Sequence, residues 1–253
     1  MKSRVLLITG AGGKVGLLLV SHFLSAGDTV IATCRTAASI KTIRSKYSDY
    51  GDSFVAIQSD LMVTDSAKVL HEKLSRMALF PDCIINNARS QNFLKIEKNG
   101  EITRENFANE YILDVIVPYE LVSVFAGCSS NTLRRVVNIG SQYGLVAANP
   151  SLYDDPVQQS PINYSVAKAG VVHLTKELGV RLAGKGIQVN CVAYGGVEGR
   201  VGTSFKQRYG ELCPQGRMLS EGEIAGPVDM LLSEKCSGMT GHTVVVDGGW
   251  SVL

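Results

Sequence analysis

Short runs of apolar and β-branched residues recur along the chain at residues 5–9, 29–33, 54–58, 83–86, 135–139, 188–192 and 243–246. Strands that are apolar throughout are buried on both faces, as in parallel sheets covered by helices on each side. Between them, apolar positions fall at helical spacing: Val15, Leu18, Leu19, His22 and Phe23 in one segment, Val166, Ala169, Gly170, His173 and Leu174 in another. About seven strands alternating with about six helices predict an α/β fold, a Rossmann-like, doubly wound parallel sheet with helices on both faces.

Nothing divides that pattern. No Pro/Ser-rich linker, low-complexity segment or solenoid-length repeat interrupts it, so residues 1–253 read as one domain. Two stretches break the alternation: 145–162, with the turn formers Asn149, Pro150, Pro156 and Pro161, and 195–219. Both follow predicted strands, at the edge where open α/β sheets bind ligands, and are expected to cover a substrate site.

Composition narrows the class of protein. Of 253 residues, 45% are hydrophobic and 19% charged, which excludes a disordered chain. The 25 Lys and Arg stand against 23 Asp and Glu, net +2, with the signs interspersed and no long run of one sign. Binding to nucleic acid or an anionic membrane surface by counterion release is therefore not expected. The 6 cysteines are scattered without a C-x-x-C pair and the 4 histidines lack zinc spacing, so no metal is expected and reduced thiols suit a cytoplasmic setting. The opening apolar run is too short for a secretion signal, and the apolar stretch 111–127 is broken by Asp114 and Glu120, so neither export nor a membrane span is expected.

The first predicted strand runs into Gly10-Ala11-Gly12-Gly13-Lys14-Val15-Gly16 and then a helix. Glycines there let the backbone turn sharply and approach a pyrophosphate, while the amides and dipole at the helix start favour a dianion. The second strand ends in Cys34-Arg35, which has no acid for ribose hydroxyls and a base for a 2′-phosphate. NADP(H) is therefore expected over NAD(H).

Several motifs together resemble the short-chain dehydrogenase/reductase family, in the right order over the whole chain. Thr9-Gly10 with Gly16 is similar to its glycine motif, Asp60 to its adenine-side acid, Asn86-Asn87-Ala88 to its N-N-A-G, and Val246-Asp247-Gly248-Gly249 to its C-terminal signature. Ser141 and Tyr164-Ser165-Val166-Ala167-Lys168 resemble its catalytic serine and Y-x-x-x-K. The resemblance implies Tyr164 as general acid or base at the substrate oxygen, Ser141 bonded to the same oxygen, and Lys168 holding the nicotinamide ribose. It also implies Leu61, Asn87, Ala88, Gly195 and Val197 along the cofactor, and a homodimer or homotetramer paired through helices over 105–127 and 164–183. Independently of the family, Tyr164 and Lys168 at i and i+4 share a helix face, and a tyrosine that titrates near 10 in water needs nearby positive charge to exchange a proton near neutrality.

The chain also departs from that pattern. Its glycines at 10, 13 and 16, with Lys14 between, are closer to the family's extended branch, and Lys14 reads either as a ligand of a 2′-phosphate or as a solvated residue. Asp114, four residues before Pro118, stands where an asparagine usually completes a proton relay; a carboxylate holds a water but cannot donate while ionised. Arg89 replaces the last glycine of N-N-A-G, and Tyr194 precedes Gly195 where proline is usual. Ser141 and Tyr164 stand 23 positions apart, so 149–160, with Tyr153, Asp154 and Asp155, reads as an insertion beside the catalytic pair. Arg89, Tyr153, Tyr194 and Arg200 are candidate substrate contacts, and with Glu198, Lys206 and Arg208 they suggest a polar or anionic ligand.

The leading expectation is an NADP(H)-dependent oxidoreductase interconverting a secondary alcohol and a ketone of sugar or sugar-phosphate type. A 3-oxoacyl thioester reductase is the alternative substrate reading. A nucleotide-binding sensor with little turnover, and an epimerase or dehydratase using transient oxidation, are the alternatives of other classes.

Overall fold

Alternate side chains of the first strand are buried on opposite faces of one sheet: Leu6 and Ile8 pack on one side and Leu7 on the other. The second strand repeats this, with Val30 and Ala32 opposite Ile31. Both faces being apolar is what makes these runs read as continuous rather than alternating. The structure is a computed structural model that describes residues 3–128, 132–199 and 201–253.

The strands are β1 (Val5–Ile8), β2 (Thr29–Cys34), β3 (Phe54–Gln58), β4 (Cys83–Asn86), β5 (Arg135–Ser141), β6 (Gln188–Tyr194) and β7 (Thr243–Val246). They form one parallel sheet in the order β3-β2-β1-β4-β5-β6-β7. The helices are α1 (Lys14–Ser25), α2 (Ala37–Lys46), α3 (Ser66–Arg76), α4 (Arg104–Tyr111), α5 (Val117–Gly127), α6 (Pro156–Gln159), α7 (Ile162–Leu182), α8 (Thr203–Leu212) and α9 (Ala225–Leu232). Helices α1, α2 and α9 cover one face of the sheet, and α3, α5 and α7 the other. The chain order reverses between β1 and β4, so their C-terminal ends diverge and leave the crevice in which such sheets bind nucleotides.

Three features differ from the sequence expectation. Strands β5 and β6 run on to Ser141 and Tyr194, so both residues stand in the sheet rather than in the loops after it. The two irregular stretches contain α6 and α8, each started by local chemistry: Pro156 follows the N-cap Asp155, whose side chain accepts from the Gln158 amide, and α8 begins at Thr203 after extended Gly202. The long helix expected over 105–127 is split into α4 and α5 by a π-helical turn, Ile112–Ile116. Pro118 accounts for the turn: it has no N–H to give the carbonyl four residues back, that of Asp114, and its ring crowds the same carbonyl. The helix widens, and the Val117 amide bonds Ile112 five residues back.

A buried polar chain ties the centre of the sheet to α7. Asn86 Nδ2 donates to Asn138 Oδ1 at 2.8 Å, Asn138 Nδ2 to Thr175 Oγ1 at 2.9 Å, and Thr175 to the Val171 carbonyl at 2.8 Å. No helix among the described residues is long and apolar enough to cross a membrane. Asn138→Ala leaves the Asn86 amide without its acceptor, and the expected loss is about 1–3 kcal/mol in urea unfolding. A loss near zero would show that the chain bears no load.

Candidate active site

The turn after β1 is shaped by contact with the turn after β4. Gly10 adopts a φ of 62°, and a Cβ on it would lie 2.6 Å from the Ala88 Cα, so a side chain there is excluded twice over. Thr9 and Asn87 lock the two turns together. Thr9 Oγ1 accepts from the Asn87 and Ala88 amides at 3.0 Å, and Asn87 Nδ2 donates to the Thr9 and Gly10 carbonyls at 2.9 and 3.2 Å. Helix α1 then starts at an extended Gly13 with no side-chain cap and no acid in its first turn. Its first amides are left to an anion lying over the crevice.

Two cavities flank this loop. The larger, about 690 Å³, is lined by Gly10, Gly13, Lys14, Val15 and Gly16 at one end. Its middle holds Asn87, Arg89, Ser141, Tyr164 and Lys168, and its far wall Tyr153, Tyr194, Gly195 and Val197. The smaller, about 270 Å³, is bounded by Arg35, Thr36, Ser39, Asp60, Leu61 and Ala88. There Thr36 Oγ1 caps α2 by accepting from the Ser39 amide and donates to Ser39 Oγ at 2.9 Å, beside the exposed Arg35. Asp60 is exposed and accepts from the Met62 amide at 3.1 Å. The uncapped helix start, the close glycine turn and these two connected spaces fit a dinucleotide, with Arg35 and two hydroxyls at one end and Tyr164 at the other.

Tyr164 and Lys168 project from α7 toward Ser141 at the end of β5. Gly144 brings the turn after Ser141 against α7: a Cβ on it would sit 2.6 Å from the Lys168 carbonyl oxygen. Ser141 Oγ accepts from the Tyr143 amide at 3.2 Å. Lys168 is buried; its Nζ donates to the Ile139 carbonyl at 3.0 Å and pairs with Asp114 Oδ2 at 3.0 Å. Burial opposes the ammonium charge, but Asp114 and then Tyr164 outweigh it, so Lys168 is held above its usual range. The π-helical turn sets the Asp114 carboxylate against Lys168, below the cleft rather than on its wall. Tyr164 has two cations beside its ring, the Arg89 guanidinium 4.6 Å and the Lys168 Nζ 5.8 Å from the ring centre.

Other sequence candidates are placed differently. The Tyr194 hydroxyl donates to the Ile224 carbonyl, leaving its ring to border the cleft. Lys14 pairs with Glu221, 3.2 Å away, and lines the larger cavity, which Arg35 also lines, but not the smaller one beside Thr36 and Ser39. In the insertion, Asp154 pairs with Arg208 at 2.8 Å and Asp155 caps α6, so both acids hold structure. Lys206 lies 4.0 Å from Glu198. Arg200 lies outside the described residues.

Sequence reasoning named Tyr153 but passed over the rest of the aromatic wall, Tyr143, Phe205, Tyr209 and Trp250, and also Glu110. Tyr143 and Tyr153 share a hydrogen bond at 2.8 Å, Tyr153 meets Phe205 edge-on, and Tyr209 stacks on Trp250 at 4.5 Å. Tyr209 also accepts from the Gly196 amide and donates to Gln142. The insertion and α8 are thereby joined into one roof over Tyr164. Its signal was the aromatic spacing Phe205 and Tyr209, at i and i+4.

Sheet order and cleft define the class, a doubly wound parallel α/β fold with its crevice at the β1–β4 switch point. The profile of the family described as enoyl-(acyl carrier protein) reductase matches residues 10–251. The chain belongs to the short-chain dehydrogenase/reductase family, whose members are NAD(P)-dependent oxidoreductases. It is 30% identical over 275 aligned residues to the uncharacterized oxidoreductase YxjF of Bacillus subtilis, with 99% of each chain covered. It is 27% identical to the 3-oxoacyl-(acyl-carrier-protein) reductase FabG of Aquifex aeolicus, with 98% of each covered. Among solved structures, a short-chain dehydrogenase of Leptospira borgpetersenii with bound NAD+ aligns with a TM-score of 0.83 at 27% identity, over 99% of this chain and 94% of that one.

Removing one member of a buried ion pair strands the other. Lys168→Met is expected to cost about 3–5 kcal/mol in denaturant unfolding, and the double variant Lys168→Met/Asp114→Leu to recover most of it. Additive losses in the two single variants would contradict the pairing.

Proposed function

We propose that the protein interconverts a secondary alcohol and a ketone with NADP(H), acting on a polar substrate of sugar or sugar-phosphate type. One observation carries the reading: the described lining of the large cavity holds Lys14, Arg35, Arg89 and Lys168 and no carboxylate, and Arg89 and Lys168 flank Tyr164. Lys14 and Lys168 are countered from outside the lining by Glu221 and Asp114, so Arg35 and Arg89 carry the excess charge that favours the cofactor phosphates at one end and an anionic or hydroxyl-rich substrate at the other.

When bound, the nicotinamide supplies or accepts the hydride. Tyr164 gives a proton to the substrate oxygen in reduction and takes it back in oxidation. Ser141, at the end of β5, hydrogen-bonds the same oxygen and holds it in line. Lys168, fixed between Asp114 and Ile139, and Arg89 over the ring stabilise the phenolate that forms when the proton leaves. The roof of Tyr153, Phe205 and Tyr209 excludes water and gives sugar C–H faces an aromatic surface.

NADP(H) preference is supported by Arg35, exposed at the end of β2 beside Thr36 and Ser39. Self-association belongs to the same proposal, with Tyr111, Ile116, Tyr119 and Val166 exposed on α4, the π-helical turn, α5 and α7. A second reading, a 3-oxoacyl thioester reductase, is favoured by the apolar strip Leu152, Val201, Phe205 and Met218 in the cavity and by the likeness to FabG.

Arg35→Ala is expected to weaken NADPH binding about tenfold, the loss of roughly one charge-assisted bond, and to leave NADH binding unchanged in fluorescence titrations. Equal loss for both nucleotides would remove the 2′-phosphate role. Keto-sugars, keto-sugar phosphates and 3-oxoacyl thioesters offered with NADPH separate the substrate readings by loss of nicotinamide absorbance. Turnover of thioesters alone would replace the first reading with the second. On the responding class, Tyr164→Phe is expected to lower kcat by about 10²–10⁴ with nucleotide binding retained.

A further inference from the structure

Four acids are buried in the described structure, Asp28, Glu110, Asp114 and Asp247. Three have partners: Asp28 pairs with Arg4 at 2.6 Å, Asp114 with Lys168 at 3.0 Å, and Asp247 accepts from the Gly249 and Ser251 amides at 2.9 Å. Glu110 is 0% exposed, and neither of its carboxyl oxygens has a hydrogen-bond partner among the described residues. It is the penultimate residue of α4, one turn before Asp114, on a helix that packs against α7 through Asn163, whose Nδ2 donates to the Asn106 carbonyl at 3.3 Å.

The charges that act on Glu110 come from three elements: Asp114 in the π-helical turn, Lys168 on α7 and Arg89 in the segment after β4. An ionised carboxylate with no hydrogen bond is costly in such a place, and a neutral acid costs far less. Burial, and then the charge of Asp114, push the Glu110 carboxyl up to about 7 against the opposing pull of Lys168 and Arg89. The acid thus changes charge near neutrality, one helical turn before the Asp114 that pairs with Lys168.

We propose that Glu110 is a positioning residue for the acid/base step: as a neutral acid it leaves Asp114 alone as counter-charge to Lys168, and its ionisation adds a second carboxylate that offsets the positive charge beside Tyr164. The inference rests on the reading of Tyr164 as the proton donor and acceptor. Its chemistry is a single proton equilibrium. The Glu110 O–H bond breaks, the proton passes to solvent, and no other bond changes. With Glu110 neutral, the group of Arg89, Lys168, Asp114 and Glu110 carries one excess positive charge facing Tyr164; with it ionised, that excess is cancelled.

The test has a part that needs no substrate. A carboxyl held above its unfolded value stabilises the fold fully below that value, and this contribution is lost as pH rises through the folded value. The unfolding midpoint of wild type is therefore expected to fall between about pH 4.5 and 7, and Glu110→Gln, which mimics the neutral acid, is expected to lose that component of the slope. Infrared difference spectra of wild type over the same range are expected to show a protonated-carboxyl band vanishing near neutrality, a readout that stands even if the variant does not fold. In turnover, the wild-type pH profile of kcat is expected to carry a limb near 7 that Glu110→Gln lacks, with the activity of the variant at acid pH retained. An unchanged stability slope and no vanishing band would overturn the buried neutral acid. A limb that persists in Glu110→Gln would reduce Glu110 to a packing role. Full activity in Tyr164→Phe would instead remove the reading on which the proposal rests, while leaving the stability slope intact.

Discussion

The buried ion pair between Lys168 and Asp114 is the interaction around which the site is organised. A lone ammonium in that position would cost several kcal/mol, so the fold must deliver a carboxylate to it from another element. Pro118 makes this possible by breaking the regular helix and forcing the π-helical turn that carries Asp114. Gly144 completes the arrangement, since only a residue without Cβ lets the turn after Ser141 lie against the Lys168 carbonyl. A helix break, a glycine and the 21-residue helix α7 thus converge on one ammonium group.

Above that pair, charge and aromatic packing divide the labour. Cations run the length of the cleft, while the roof is built by joining the insertion to α8 through Tyr153, Phe205 and the Arg208–Asp154 pair. Arg208 also donates to the Leu152 carbonyl at 2.9 Å, so the insertion is held at both a side chain and its backbone. Electrostatics would draw an anion in, and the roof would then limit its size and exclude water.

The sheet was legible in the sequence because strands buried on both faces leave uninterrupted apolar runs, and all seven appear in the expected places. Their ends were less legible: β5 and β6 run on through Ser141 and Tyr194 because they stay paired with each other, Ser141 opposite Tyr194, and that pairing is between segments far apart in the chain. The glycine turn, Ser141, Tyr164 and Lys168 were visible as a local pattern, and the structure gathers them on one cleft. Directions of side chains were not visible. Tyr194 turns its hydroxyl to Ile224, Lys14 reaches Glu221, Asp154 pairs with Arg208 on α8, and Asp155 caps α6 within the insertion. Each of these depends on a partner far along the chain or on loop geometry, which spacing does not encode. Glu110 was passed over because a glutamate near a helix end normally faces solvent, and its burial follows only from the packing of α4 on α7.

Transfer of label from the cofactor tests the central claim most directly. Incubating the protein with NADPH deuterated at its transferable hydride and a panel of keto-sugars, keto-sugar phosphates and 3-oxoacyl thioesters, then weighing the products, reports where the hydride goes. The account predicts one deuterium on the carbinol carbon of a sugar or sugar-phosphate product. Tight binding of NADPH with no deuterium delivered to any of these carbonyl compounds would contradict it.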